Sequence, residues 1–185
     1  MALINGKLTR LRPVEMSDQD RYVLWMNDPE VTQYLDSRYP ISPAWEEEWL
    51  RAAVKRTSAP ELSLAIETLD GRHIGSIGLH GVQGEDRSAS LGIVIGDKEY
   101  WSQGYGSDAL IALLRFAFDE MNLNRVWLEV LADNARAVAS YVKCGFVEEG
   151  RQRQHRYRRG AYRDSLIMGA LAQEFRALHG GPSDA

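Results

Sequence analysis

What this sequence has little of narrows its function first. One cysteine, Cys144, stands among 185 residues, so no internal disulfide can form, and a reducing, cytoplasmic setting is expected. No apolar run approaches the roughly 18 residues that a membrane-spanning helix needs. The opening MALINGKLTR lacks the apolar segment of a secretory leader, so no membrane partner is expected. There is no excess of positive charge: the net charge is −4 and the pI about 5.6. Without an overall basic field, a nucleic-acid partner is not expected either. His73, His80 and His155 show no metal-ligand spacing, and no metal is expected. There is no internal repeat and no long linker. The length suggests one domain, expected over residues 1–178, with 179–185 as a frayed, flexible tail.

What is present alternates between strand and helix patterns. KLTRLRPV reads as a strand. SDQDRYVLWMND reads as a helix capped by Ser17 or Asp18. SPAWEEEWLRAAVKR is a clearer helix, with Ser42 as cap and Pro43 at its first position. ELSLAIETLDGRHIGSIGLHGV reads as a hairpin turned at Asp70-Gly71, and SASLGIVIG as a further strand. SDALIALLRFAFDEMNL carries apolar residues at 109, 110, 113, 114 and 117, a helical repeat. The strand NRVWLEVLA follows, then the helix DNARAVASYVKCG, closed by Gly145. GFVEEGRQRQ and YRDSLIMGAL form a last hairpin over HRYRRGA. The order β-α-α-β-β-β-α-β-α-β-β is that of an α+β fold with a mixed, mostly antiparallel sheet.

The stretch EYWSQGYGSDAL places two glycines, Gly104 and Gly106, just before the third helix. With Ala109 they satisfy G-x-G-x-x-A, the spacing of a dinucleotide-binding turn. The context excludes that reading. The preceding strand ends at Ile95, eight residues intervene before Gly104, and the strands before it form hairpins rather than a βαβ unit. A plain turn is the simplest alternative. Against it, residues 103–107 sit where the first free N–H groups of a helix face outward and make an anion site, and glycine lets a phosphate approach the backbone.

Three stretches carry a family resemblance: LGIVIGDKEYWSQGYGSDAL, RVWLEVLADNARAVASYVKCGFVEEG and RRGAYRDSLIMGAL. Together they resemble the GNAT superfamily of acyl-CoA-dependent N-acetyltransferases, in the branch that holds the RimJ/RimL-like and spermidine acetyltransferases. The family's [QR]-x-x-G-x-[GA] pattern matches at Gly104 and Gly106 but has Trp101 at its first position. That departure puts a side-chain contact from residue 101 in doubt and leaves the backbone cradle. The resemblance implies a twisted sheet flanked by helices and split at its two central strands, and acetyl-CoA as co-substrate. By that resemblance, the backbone of Ile93, Val94 and Ile95 would pair with the pantetheine arm. Gln103, Gly104, Tyr105, Gly106 and Ser107 would hold the pyrophosphate. Asn134 would hold the cofactor arm, and Tyr141 would lie by the thioester sulfur.

Asn134 and Tyr141 are seven apart and share a helix face. A thiol of pKa near ~8.5 against ~10 for tyrosine makes full proton transfer from Tyr141 only weakly driven, but a hydrogen bond that strengthens as charge develops suffices. The plainer reading packs Tyr141 under Gly145-Phe146 with its hydroxyl on the backbone. Glu129 matches the position of a proposed base in a related N-terminal acetyltransferase, where burial would raise its pKa; its other reading is a solvent-facing strand residue. Glu85, Asp86 and Glu46 to Glu48 could draw a cationic acceptor, two of the last three being expected on a solvated face. Trp25, Tyr34, Tyr39, Trp45 and Trp49 are expected to be mostly core. Tyr157 and Tyr162 bracket the last turn, at a pocket or an interface. Cys144, at a helix C-terminus, is expected to be inert. The five arginines of residues 151–159 offer an RNA contact or, the preferred reading, an exposed basic hairpin.

The expected protein is an acetyl-CoA-dependent enzyme. It acetylates a primary amine (a protein N-terminus, a polyamine such as spermidine or another small amine) by direct attack in a ternary complex. The alternative class is a catalytically silent acyl-CoA-binding sensor. The resemblance also allows a homodimer.

Overall fold

The computed structural model describes residues 4–55 and 60–181. Eight strands form one sheet in the order β1-β2-β3-β4-β5-β6-β8-β7. They are β1 (Ile4–Asn5), β2 (Thr9–Pro13), β3 (Leu62–Thr68), β4 (His73–Gln83), β5 (Ser88–Ile95), β6 (Arg125–Leu131), β7 (Val147–Arg158) and β8 (Ala161–Leu171). Every neighbouring pair is antiparallel except β5 and β6. The helices are α1 (Gln19–Met26), α2 (Pro43–Lys55), α3 (Tyr105–Asp119), α4 (Ala135–Cys144) and α5 (Ala172–His179). No described helix is long and apolar enough to cross a membrane.

Alternation along β3 divides the molecule into layers. Leu64 and Ile66 belong to the main core, in which Leu110, Leu113, Leu114 and Phe118 of α3 pack with Val126, Leu128, Met168 and Phe175. Ala65, between them, belongs to a second core with Tyr22 and Trp25 of α1 and Leu50 and Ala53 of α2. Successive strand side chains point to opposite faces, so one strand serves both layers.

The punctuation residues act largely as the sequence suggests. Ser42 Oγ accepts from Trp45 N at 3.1 Å and Pro43 opens α2. Gly71, at φ 88°, turns the β3–β4 hairpin, and Gly145, at φ 102°, closes α4. The expected end of α2 at Arg56 lies outside the described residues, as do residues 182–185 of the expected tail.

Four details differ. Asp18 makes no side-chain cap for α1; its carboxylate is buried and bonded by Arg12 at 2.6 and 2.8 Å, with His73 at 3.1 Å. A two-residue strand, β1, precedes the first expected one, held because Asp108 of α3 accepts from the backbone N–H groups of Lys7, Leu8 and Thr9, each at 2.9 Å. Residues 155–161 are mostly strand: the turn needs only Arg159 (φ 48°) and Gly160 (φ 82°), a pair of positive φ values whose twist suits a two-residue hairpin. Finally, α5 follows β8 directly. Its last residue, His179, lies within hydrogen-bonding distance of Cys144 O, 3.2 Å.

Candidate active site

The one parallel pair in the sheet is also its weak seam. β5 and β6 are paired only at Ser88–Ser90 against Arg125–Trp127. Beyond that point each strand is bonded on its outer side alone, β5 to β4 and β6 to β8. The split expected at the central strands is therefore present. It opens into a cleft of about 710 Å³. The crevice beyond the carboxyl ends of parallel strands, where helices begin, is a favoured ligand position in open sheets.

One wall is the free edge of β5, including Ile93, Val94 and Ile95; the facing wall is Trp127 to Leu131 of β6. At the far end α3 begins. Gly104, at its N-cap, has φ 91°, a left-handed conformation that side-chain-bearing residues rarely hold. Gly106 is bare for another reason: a Cβ there would meet Ile95 Cγ1 at an ordinary 3.6 Å, so its lack of a side chain leaves room in the cleft rather than relieving the fold. Gly104, Gly106 and Ser107 line the cleft. The first N–H groups of a helix have no partner within it and carry the positive end of its dipole.

The side chains of Gln103 and Tyr105 do not join that lining. Gln103 donates to Glu99 O, and Tyr105 packs its ring edge-on against Tyr100, centroids 5.0 Å apart. Any part they play at the helix start is limited to backbone. Trp101 has a role of its own where the family pattern has Gln or Arg. Its Nε1 donates to Ile95 O at 2.7 Å, tying down the end of β5, and Arg136 lies over its ring at 4.2 Å. Arg136 and Lys143 both line the cleft. Sequence spacing carries no sign of Arg136, because only the fold brings α4 beside residue 101.

Asn134 is the N-cap of α4 rather than a residue within it. Its Oδ1 accepts from Ala137 N at 3.3 Å, its side-chain NH₂ makes no described hydrogen bond, and the residue lines the cleft. Tyr141 lines the same cleft. Its ring packs on Phe146, centroids 5.7 Å apart, but among the described residues its hydroxyl has no hydrogen-bond partner, so the plainer reading is only half met. Burial pushes the Tyr141 hydroxyl up to about 12. It stays protonated at neutral pH and remains a donor. Cys144 is fully buried, and burial pushes its thiol up to about 11, as an inert cysteine requires.

Glu129 also lines the cleft, but its expected raised pKa is corrected. Burial pushes it up; hydrogen bonds from Arg156, at 2.9 Å, and Ser165 outweigh that and hold the carboxyl below its ordinary value. His155 Nδ1 lies 3.1 Å away on the same oxygen. The expected exposed basic hairpin holds for Arg151, Arg153 and Arg159, which are exposed, but not for Arg156 and Arg158, which are partly buried. Four of its five arginines are engaged: Arg151 by Asp164, Arg156 by Glu129 and Asp36, Arg158 by Asp36 and Leu35 O, and Arg159 by Pro29 O. Arg156 and Arg158, two apart on β7, both face the cleft.

Two other expectations shift. Trp25 is buried and Trp49 packs beside it, but Tyr34, Tyr39 and Trp45 are exposed, and of the five aromatics Tyr34 alone reaches the cleft. Tyr157 and Tyr162 stack edge-on at 5.1 Å as an exposed pair outside it.

The comparisons with known proteins agree with this geometry. Residues 9–147 match the Acetyltransferase (GNAT) domain family. The chain is 26% identical over 180 residues to the uncharacterized N-acetyltransferase p20 of Bacillus licheniformis, covering 94% of this chain and 97% of that one. It is 29% identical over 167 residues to YdaF of Bacillus subtilis, whose name assigns it provisionally to the ribosomal N-acetyltransferases, covering 90% and 86%. Among solved structures, the spermidine N-acetyltransferase of Vibrio cholerae in complex with CoA and spermine superposes with a TM-score of 0.84 at 25% identity, covering 92% of this chain and 99% of that one. The split sheet, the glycine-led helix and the matching sequence together place this chain in the GNAT family of acetyltransferases.

Proposed function

We propose that the protein transfers an acetyl group from acetyl-CoA to a primary amine, by direct attack within a ternary complex. The observation that carries this is the parting of β5 and β6, with a bare helix N-terminus at one end of the opening and Tyr141 along it. The pantetheine arm would lie along the free edge of β5 at Ile93 to Ile95, as an added strand does. The pyrophosphate would sit on the backbone of residues 103–107, with Ser107 beside it and Arg136 supplying charge. Asn134, with Oδ1 committed to its helix, offers its amide N–H groups to the arm.

The acceptor nitrogen attacks the thioester carbonyl carbon; the C–N bond forms and the C–S bond breaks. The departing sulfur takes a hydrogen bond from Tyr141, which stays protonated, and the proton shed by the attacking nitrogen ends on the thiolate or in solvent. Burial makes Tyr141 a weaker acid than ordinary tyrosine, so its contribution lies mainly in the hydrogen bond, which strengthens as charge gathers on sulfur. The amine must itself shed a proton. Glu129 and Asp36 are the two carboxylates that line the cleft. Glu129 is the more enclosed, its side chain 26% exposed against 72%. Held ionised by Arg156, it attracts and orients an ammonium group but is a poor proton sink. That favours acceptors that are partly neutral already: an α-amine of pKa near ~8 is neutral far more often at pH 7.5 than a lysine-like amine near ~10.4.

A thiol-release assay with acetyl-CoA, with products weighed by mass spectrometry, tests the reading. Peptides, amino acids, spermidine and spermine serve as acceptors. Acetylated amine and free CoA in equal amounts are expected. Acetyl-CoA binding without any product would return the protein to the sensor class.

A further inference from the structure

Beside the acceptor end of the cleft lies a second cavity of about 200 Å³, walled by Gln33, Tyr34, Asp133, Arg158, Arg159 and Arg163. Tyr34, Leu131 and Arg158 line both spaces, so the two adjoin. The smaller one is walled by three guanidinium groups and one carboxylate. Their bonding is incomplete. Arg163 holds Asp133 through Nη1 at 2.5 Å, and Arg158 holds Leu35 O and Asp36 through Nη2 at 3.1 and 3.0 Å. In both arginines the Nε is buried and has no acceptor. Those two N–H groups have almost no accessible surface, so what the cavity offers an anion is the remaining Nη groups: Arg163 is held through Nη1 alone and Arg159 through Nη2 alone. A guanidinium with free N–H groups is the natural counterpart of a carboxylate's oxygens.

The charges around the whole acceptor end point the same way. Arg156, Arg158, Arg159 and Arg163 stand against Asp36, Glu129 and Asp133. A polycation entering this end would meet more positive than negative charge. A molecule with one amine and an acidic group could set the amine beside Glu129 and the acid among the arginines. The cavity has room for a carboxylate and a few carbons, given that a water occupies about 30 Å³ in the liquid.

We propose that the acceptor is an α-amine bearing a carboxylate, and that the Arg158–Arg163 cavity receives that carboxylate. The inference rests on the N-acetyltransferase reading and names the acceptor's class within it. The carboxylate belongs either to a free acidic amino acid or to an acidic side chain at a peptide's N-terminus.

Steady-state kinetics on the full chain test it with four acceptors: glutamate, a peptide beginning with Glu, a peptide beginning with Ala, and spermine. At least one of the two acidic acceptors should exceed spermine tenfold or more in kcat/KM, and which one does identifies the source. Arg163→Gln should raise KM for that acceptor about tenfold and leave KM for acetyl-CoA unchanged. Asp133→Asn, which frees Arg163, should lower it. The opposite signs separate a binding role from a merely structural one, since damage to the fold would raise both. Preference for spermine, or the same direction of change in both variants, overturns the proposal while leaving N-acetyl transfer intact. Calorimetric titration with N-acetylglutamate and with the acetylated Glu peptide adds a readout that needs no turnover. Binding of either that weakens tenfold in Arg163→Gln supports the cavity, and no binding of either to the wild-type protein overturns it. If no amine is acetylated, this titration still decides for or against the cavity while the N-acetyltransferase reading fails.

Discussion

At the end of the cleft proposed for the donor, the lining is in large part backbone: the unpaired edge of β5, the N–H groups at the start of α3, and two glycines without side chains. At the acceptor end it is side chains, and they come from distant parts of the chain. Tyr34 and Asp36 follow α1, Glu129 lies on β6, and Arg156 and Arg158 lie on β7. A backbone site must recognise a fixed group in a fixed way and leaves a compact sequence trace. A side-chain site can change its preference by single substitutions and leaves only scattered residues. The donor end thus belongs to the fold, and the acceptor end to this particular chain.

Tyr141 is one of the few side chains proposed to act at the donor end, its hydroxyl has no partner among the described residues, and replacing it should give the largest effect. Tyr141→Phe keeps the ring's packing on Phe146 and removes only the donor. We expect kcat to fall about a hundredfold, within the usual range for one hydrogen-bond donor to developing charge, with KM for acetyl-CoA little changed. Because burial holds the hydroxyl near 12, Tyr141 should add no ionisation to the wild-type pH–rate profile below about pH 10. A profile and a kcat unaltered by the substitution would remove Tyr141 from the chemistry.

The next effect tests the backbone itself. At Gly104 a Cβ would find open space, its nearest neighbour being Leu8 Cδ1 at 3.7 Å; the constraint is the positive φ of 91°. Forcing a side-chain-bearing residue into that region costs about 1–2 kcal/mol, and more for a β-branched one. Gly104→Val should therefore move the loop and raise KM for acetyl-CoA about tenfold while leaving acceptor KM alone. Equal losses for both substrates would mean that the two ends are not separable.

The same division explains which parts are legible in the amino-acid sequence. Residues 99–110 are contiguous, so the glycine-led start of α3 can be read from the chain alone, as can the stop of α4 at Gly145. Asp108 cannot, because its role is to bind residues 7–9, about a hundred positions away. Nor can the partners of the hairpin arginines, which depend on the carboxylates the fold brings opposite them. Glu129 shows the limit most plainly. Its strand follows from sequence, but its place in the cleft is settled by the fold, and the sign of its pKa shift is set by Arg156, twenty-seven residues on.

The smallest effect lies in the helical layer behind the acceptor end, where two buried carboxylates have opposite surroundings. Asp18 is bonded by Arg12 and His73, which outweigh its burial and hold its carboxyl well below the usual range. Glu46 is only 3% exposed, has no described hydrogen-bond partner for its carboxyl, and is pushed up to about 7 by burial alone. Of the three consecutive glutamates it is the one not on a solvated face. The folded-state pKa of Glu46 is raised, so between its ordinary value of 4.5 and about 7 the folded state binds more protons than the unfolded one. Stability from this group is then present at low pH and is lost as pH rises through that window. Glu46→Gln removes the ionisable group. Its thermal midpoint should nearly match the wild type at pH 4.5 and exceed it increasingly toward pH 8, by at most about 3 kcal/mol given roughly 1.4 kcal/mol per pKa unit. For a chain of this length that corresponds to roughly 6–12 °C at the upper limit. Asp18→Asn should behave in the reverse sense, destabilising at pH 8 and progressively less so as acid protonates the native carboxylate. If the Glu46→Gln difference is flat across pH, Glu46 is solvated in solution, and the helical layer holds one buried charge rather than two.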